Sequence, residues 1–378
     1  MFIGICGSIC AGKSTIAQYL VSHHGFAHLY IKDDSSLTQG GSSEEKSLAV
    51  NGKSDGAANG GDPLEGLHRL RLTMGSRLSR QQQQQRQRQE HVFSMADDLL
   101  DFVTKRWRER WVTTDIPNEA VLDMYTRRPF FLLVSVDAPL TVRLQRFRDR
   151  GSGSEQQQQS VGIEQFVELS DTHLYDPVSG QLPLMSRATV RFLNTSSDLA
   201  HLYATLGKLD LLNPDRLRPS WDSYFMALAS LAAQRSNCMK RRVGCVVVRD
   251  KRVISTGYNG TPRGLQNCGE GGCGRCNDAQ GSGQGLATCL CLHAEENALL
   301  EAGRDRVRDG AVLYCDTCPC LTCSIKIVQV GINEVVYSHS YSMDGQTAAV
   351  FREAGVRLRQ LVPPAHGLIH LEKSEMYK

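Results

Sequence analysis

Eleven of the thirteen cysteines fall between Cys238 and Cys323, and this crowding constrains the chain more than any other feature. Clustered thiols in a reducing compartment bind metal more often than they form disulfides. Loops and helix ends that share an ion have to converge, so this stretch is not free to fold in many ways. Packing as small apolar residues suits Cys6, Cys10, Cys245 and Cys315, but it suits the rest poorly, because they sit among Gly, Asn and Thr. Two of the rest, Cys320 and Cys323, stand in a P-C-x-x-C run that begins at Pro319, and His293 stands upstream in H-A-E. One imidazole and two thiolates make three ligands, which leaves the fourth position of a tetrahedral ion open. An open position is the mark of a catalytic rather than a structural zinc.

The pattern around these motifs is α/β. A length of 378 residues points to two or three domains, each able to form an ordinary core. FIGIC reads as a strand, GSICAGKST as a Gly-rich turn and IAQYLVSHH as a helix. WVTTDI, RPFFLLVSVD and ATVRFLNT read as further strands, the latter two followed by helical LTVRLQRFRDR and SSDLAHLYATLGKLDLL. Strands that alternate with helices imply a mostly parallel sheet covered on both faces. This places a first domain at 1–215, with disordered inserts at about 36–61, 81–89 and 151–160 whose Gly, Ser and Gln content cannot support a core. Polar NPDRLRPS at 213–220 marks the boundary. A second α/β domain follows at 220–365, and 366–378 reads as a C-terminal tail. A net charge of +3 gives no footprint for nucleic acid. No apolar run reaches the length of a membrane span, and the N-terminus lacks the features of a signal peptide, so the expected location is cytoplasmic or also nuclear.

The two metal motifs each fall at an expected helix start, where free N–H groups and the positive dipole end favour thiolates. In zinc deaminases the signature H-x-E…P-C-x-x-C supplies a His/Cys/Cys site, and the glutamate is general acid/base rather than ligand. Glu295 stands at that place. The segments SNCMKRRVGCVVV, STGYNGTPRGLQNC, CLHAEENALL and CPCLTCSIKIVQVGI together resemble the cytidine/deoxycytidylate deaminase superfamily, and GYNGTPRG narrows the likeness to its deoxycytidylate branch. The resemblance spans about 222–363. It implies an α/β/α three-layer domain with a five-stranded mixed sheet, and the reaction of dCMP with water to give dUMP and ammonia for thymidylate synthesis. It also implies activation by dCTP, inhibition by dTTP and a homo-hexamer. Asn259, Arg242 (from the run Lys240, Arg241, Arg242) and Tyr341 are then substrate contacts, and Gly257, Tyr258 and Gly260 lie where the family binds its regulatory triphosphate. Glycine in a tight turn is an equally good account of Gly257 and Gly260.

Six further cysteines surround this site. The resemblance implies a second, structural zinc held by Cys238, Cys268, Cys273 and Cys289, with Cys276 and Cys291 as alternates. At the other end of the chain, Gly7 to Ser14 fits G-x-x-x-x-G-K-S between a strand and a helix, the context that the phosphate-binding loop requires. Gly7, Gly12, Lys13 and Ser14 would cradle the phosphates of ATP with Mg²⁺. VSVDAPLTVRLQRFRDR and ATVRFLNTSSDLAHLYATLGKLD resemble P-loop nucleotide kinases, dephospho-CoA kinase in particular. The acceptor-side residues of such kinases are not recognisable here. The leading expectation is a deaminase with an appended kinase-like domain. The alternatives are a working P-loop kinase whose deaminase unit is a regulator or partner, and a noncatalytic zinc scaffold.

Overall fold

FIGICG and FLLVSVD, two of the most apolar runs of the first half, lie side by side as β1 (Phe2–Gly7) and β5 (Phe131–Asp137). They pair in parallel, Phe2 opposite Phe131 and Gly7 opposite Val136. All six residues of β1 are buried, as expected for a parallel strand covered on both faces. The computed structural model describes residues 1–32, 91–151, 162–196, 198–278, 280–281, 284–340, 344–362 and 367–369. The inserts expected at 36–61 and 81–89, nearly all of the one at 151–160, and Tyr341 lie outside the described residues.

The chain divides into two units, one running from Met1 to Leu211 with a C-terminal segment added, the other from Leu212 to Pro364. In the first unit β1 and β5 are joined by β2 (Ala27–Ile31), β3 (Val92–Phe93), β4 (Trp111–Thr113), β6 (Val190–Leu193) and β12 (Gly367–Ile369). Among the described residues these make a seven-stranded sheet in the order β12-β6-β5-β1-β4-β2-β3. Every pairing in it is parallel. Strand β12 belongs to the stretch expected as a tail. It pairs with β6, Gly367 opposite Val190, and three residues with no alternating pattern gave the sequence reading nothing to detect.

The second unit holds a five-stranded sheet in the order β11-β10-β9-β7-β8. Its strands are β7 (Gly244–Arg249), β8 (Arg252–Tyr258), β9 (Val312–Thr317), β10 (Glu334–His339) and β11 (Arg357–Gln360). β7 is antiparallel to both β8 and β9, whereas β9, β10 and β11 run parallel. The sheet is mixed, as expected. GCVVVR is almost wholly β-branched or small, and its period of two sorts the two faces. Cys245 and Val247 pack with Ala294, Ala298 and Ile327. Val246 and Val248 pack with Phe225, Met226 and Ala229. Helix Trp221–Ala233 therefore covers one face, and helices Ala294–Ala302 and Leu321–Val330 cover the other.

Helix Trp221–Ala233 starts where Ser220 Oγ accepts the Ser223 N–H at 3.3 Å, a cap worth about 1 kcal/mol. At its first turn Asp222 accepts from Tyr314 of β9 at 2.7 Å and from Arg359 of β11 at 2.7 Å. Sheet centre, sheet edge and helix are thus tied at one carboxylate. The helix also sits directly on the start of β7. A Cβ at Gly244 would lie 1.9 Å from Ala229 O and 2.4 Å from Ala233 N. Gly244→Ala is expected to destabilise the second unit by about 1–3 kcal/mol through overpacking. The change is read as a lower urea midpoint at constant slope, and an unchanged midpoint would contradict this seating of the helix.

Candidate active site

His293 and Cys320 are each the residue before the first turn of a helix, Ala294–Ala302 and Leu321–Val330. Neither side chain caps its own helix, so both are available to a common partner. The sheet and its helices bring them together. Cys320 Sγ lies 3.3 Å from His293 Nδ1, and Cys323 Sγ lies 3.4 Å from the same nitrogen. The three ligand atoms all lie within 4.8 Å of one another, close enough to share one ion. Two thiols and an imidazole suit zinc, and three ligands leave one tetrahedral position for another group. Cys320 is held well below the usual thiol range, at about 3, by its bonds to Cys323, His293 and Thr322. The Cys320 thiolate in turn is the main cause that raises His293 to about 9.

Glu295 stands in the first turn of the His293 helix and is only 4 % exposed. Burial pushes its carboxyl up to about 7. Its neighbour Glu296 accepts from Lys326, which links the two ligand-bearing helices. The close seating of the first helix depends on Gly257. A Cβ there would lie 2.2 Å from Ala294 O and 2.4 Å from Ala298 N. Asn297 Nδ2 donates to Tyr258 O at 2.9 Å, and Ser255 Oγ donates to Ala298 O at 2.8 Å. Gly260 and Leu292 exchange backbone hydrogen bonds of 3.1 and 2.8 Å. Gly257, Tyr258 and Gly260 thus have a packing role against the segment and helix around His293, one that the sequence left open for the two glycines.

Asn259 is buried and its amide is engaged at both ends. Oδ1 accepts the Val243 N–H at 2.8 Å, and Nδ2 donates to Arg241 O at 2.7 Å. It fastens the segment before β7, the segment that carries exposed Lys240, Arg241 and Arg242. Sequence reasoning missed this bracing role, and it also missed Ser236 and Asp316. Ser236 Oγ donates to Asn259 O at 2.8 Å and accepts the Cys238 N–H at 3.2 Å. Asp316, next to last in β9, is 8 % exposed, and its Oδ1 has no hydrogen-bond partner among the described residues. Burial raises its carboxyl above the usual range. The available signal was a carboxylate that ends the apolar run AVLYC just before the ligand-bearing turn.

The six cysteines considered for the second zinc also converge, but not as the expected quartet. Cys238, Cys268, Cys276 and Cys291 form one set within reach of a single ion, and Cys273, Cys276, Cys289 and Cys291 form another. Cys238 and Cys268 therefore do not join Cys273 and Cys289 in either set, and the two alternates, Cys276 and Cys291, belong to both. Spacing along a Gly-rich loop cannot show which thiols meet.

In the first unit the segment Gly7 to Ser14 is a strand end, a turn and a helix start, with the helix beginning at Lys13. Lys13 Nζ donates to Gly7 O at 2.7 Å and Ser8 O at 3.1 Å. Arg146 reaches Ala11 O at 3.2 Å. Burial lowers the Lys13 ammonium below the usual lysine range.

Two family models match the chain: the cytidine and deoxycytidylate deaminase zinc-binding region over residues 219–339, and an AAA domain over residues 3–167. A deoxycytidylate deaminase of Schizosaccharomyces pombe is 45% identical over 366 residues, 97% of this chain and 99% of that protein. A deoxycytidylate deaminase of Saccharomyces cerevisiae is 49% identical over 275 residues, 70% of this chain and 85% of that protein. The crystal structure of the dCMP deaminase of cyanophage S-TIM5 with dCMP and dUMP is 31% identical, covers 38% of this chain and 98% of that one, and aligns with a TM-score of 0.32. The zinc-binding region spans His293, Glu295, Cys320 and Cys323, and the match to the first relative runs nearly end to end; this chain belongs to the deoxycytidylate deaminase family.

Proposed function

We propose that this chain converts dCMP and water to dUMP and ammonia, with His293, Cys320 and Cys323 as ligands of a catalytic zinc and Glu295 as general acid/base. The observation that carries this reading is a buried carboxyl raised to about 7 in the helix turn that follows a His/Cys/Cys set. Zinc held by these residues would supply activation of water near neutral pH. A carboxyl poised near 7 can take a proton from that water and give it back. Glu295 would accept one proton as the water oxygen bonds to C4 of the base and deliver it to N3; it would then take the second proton from the hydroxyl now on C4 and pass it to the amino group, so that the C4 carbonyl forms as the C4–N4 bond breaks and ammonia leaves. Asn259 positions Arg241 and Arg242 through its backbone bonds, and Arg242, exposed on that segment, meets the substrate phosphate. Tyr341 is a further substrate contact by resemblance.

On the same reading the product supplies thymidylate synthesis, dCTP activates, dTTP inhibits and the working form is a cytoplasmic homo-hexamer. The regulatory nucleotide would act at Gly257, Tyr258 and Gly260. Their packing against the helix of Glu295 gives a physical route from that strand end to the site. The first unit would bind ATP and Mg²⁺ through Gly7, Gly12, Lys13 and Ser14, and a strand–turn–helix with Lys13 folded over the turn supports phosphate binding there. Among the described residues no helix is long and apolar enough to cross a membrane.

Glu295→Gln keeps the shape of the side chain and removes its proton chemistry. It is expected to lower kcat on dCMP by about 10²–10⁴-fold while zinc content stays at the wild-type level. A wild-type protein that releases no ammonia from dCMP, with or without dCTP, would sink the proposal. Asn259→Asp places an acceptor against Arg241 O and is expected to cost about 1–3 kcal/mol. Denaturant unfolding measures it, and a stability equal to wild type would count against the bracing role. Lys13→Ala is expected to weaken ATP–Mg²⁺ binding at least ~10-fold, roughly 1.4 kcal/mol. Calorimetric titration decides, and equal affinity in the two proteins would remove the P-loop assignment.

A further inference from the structure

We infer that Cys238, Cys268, Cys273, Cys276, Cys289 and Cys291 hold two zinc ions rather than one, as a binuclear cluster in which the Cys276 and Cys291 thiolates bridge the ions. The two sets within reach of an ion each contain four cysteines, and they share these two residues. Two tetrahedral ions present eight coordination positions, and six sulfurs fill all eight when two of them serve both ions. Cys238 and Cys268 are then terminal on one ion, and Cys273 and Cys289 are terminal on the other.

The spacing fits. A Zn–S bond of ~2.3 Å in tetrahedral geometry separates neighbouring sulfurs by about 3.8 Å. Cys238–Cys276 is 3.8 Å, and Cys273–Cys289, Cys276–Cys289 and Cys276–Cys291 are each 3.9 Å. A disulfide needs about 2.05 Å, and all six cysteines are free. Cys276 lies at tetrahedral-edge distance from a terminal sulfur of each set, the position that a bridging ligand must occupy.

A single ion accounts for less. If one zinc took the first set, Cys273 and Cys289 would remain as metal-free thiols. Yet Cys273 is fully buried and accepts the Leu290 N–H at 3.4 Å, and Arg275 directs its guanidinium to Cys289 Sγ at 3.7 Å. If one zinc took the second set, Cys238 and Cys268 would be left; Cys268 is also fully buried and accepts the Met239 N–H at 3.5 Å. Donors and a cation aimed at sulfurs of both sets suit thiolates in both sets. Six thiolates and two divalent ions leave a net charge of about −2, which Arg275 partly offsets. The cluster ties together three segments, at Cys238, at Cys268 to Cys276 and at Cys289 to Cys291. The last leads straight into His293, so the cluster anchors the Gly-rich loop at the edge of the candidate active site. The inference stands whether or not the chain acts on dCMP.

Elemental analysis of the purified, zinc-replete full chain tests it. About three zinc per chain are expected, falling to about two in the Cys320→Ser/Cys323→Ser double variant. About two in the wild type and one in the double variant would mean a single-ion cluster and would overturn the inference, as would one and none. Should the double variant fail to fold, cadmium-113 substitution of the wild type decides alone. Two ions joined by shared thiolates give two resonances in the four-sulfur range that are scalar-coupled to each other, whereas one four-sulfur resonance, or two without coupling, refutes bridging.

Discussion

The contact of strand β8 with helix Ala294–Ala302 is the constraint on which the second unit depends. At Gly257 the strand backbone comes so close to the helix that a single added carbon would collide with Ala294 O and Ala298 N. The hydrogen bonds from Ser255 and Asn297 fix the same interface on both sides of that glycine. The helix start is thereby placed over the sheet, and with it His293 and Glu295. Residues on other elements add to this frame. Lys326 reaches back to Glu296, and Cys320 and Cys323 then find His293 at 3.3 and 3.4 Å. A shift of the helix along β8 would separate all of these at once.

Polar order around the site is built on backbone groups. Asn259, Ser236 and Asn297 each bind main-chain atoms of a segment distant in sequence. Such bonds contribute little net stability one by one, but a buried group left without its partner is costly. They therefore select one arrangement of the loops rather than adding much to its total stability. The cysteine cluster does for the long Gly-rich loop what a hydrophobic core does elsewhere. That loop has few apolar side chains to bury, and converging cysteines, five of them buried with Cys289 packed against them, take their place.

The first unit uses different means. Its central strand β1 is buried on both faces, and the Gly-rich turn stands at the end of that strand. Ligands of open α/β sheets bind at the carboxyl ends of the strands, and Lys13, Arg146 and the turn itself lie at that end. The match of an AAA domain over residues 3–167 agrees with this architecture.

The sequence by itself determined the fold class of both units and singled out His293, Glu295, Cys320 and Cys323 as candidates. It could do so because these features are local. A period of two, a glycine before a helix, or a ligand three residues from another ligand is complete within a dozen residues. Tertiary structure decided what depends on meetings between distant segments. It sorted six cysteines into two sets that share Cys276 and Cys291, a pattern that spacing along a flexible loop cannot encode. It turned Asn259 into a brace for Arg241 and Val243, and showed Asp316 to be a buried carboxylate whose Oδ1 has no hydrogen-bond partner among the described residues. It drew Gly367–Ile369 into the first sheet, because the edge of β6 offers hydrogen bonds that no pattern in a three-residue strand announces.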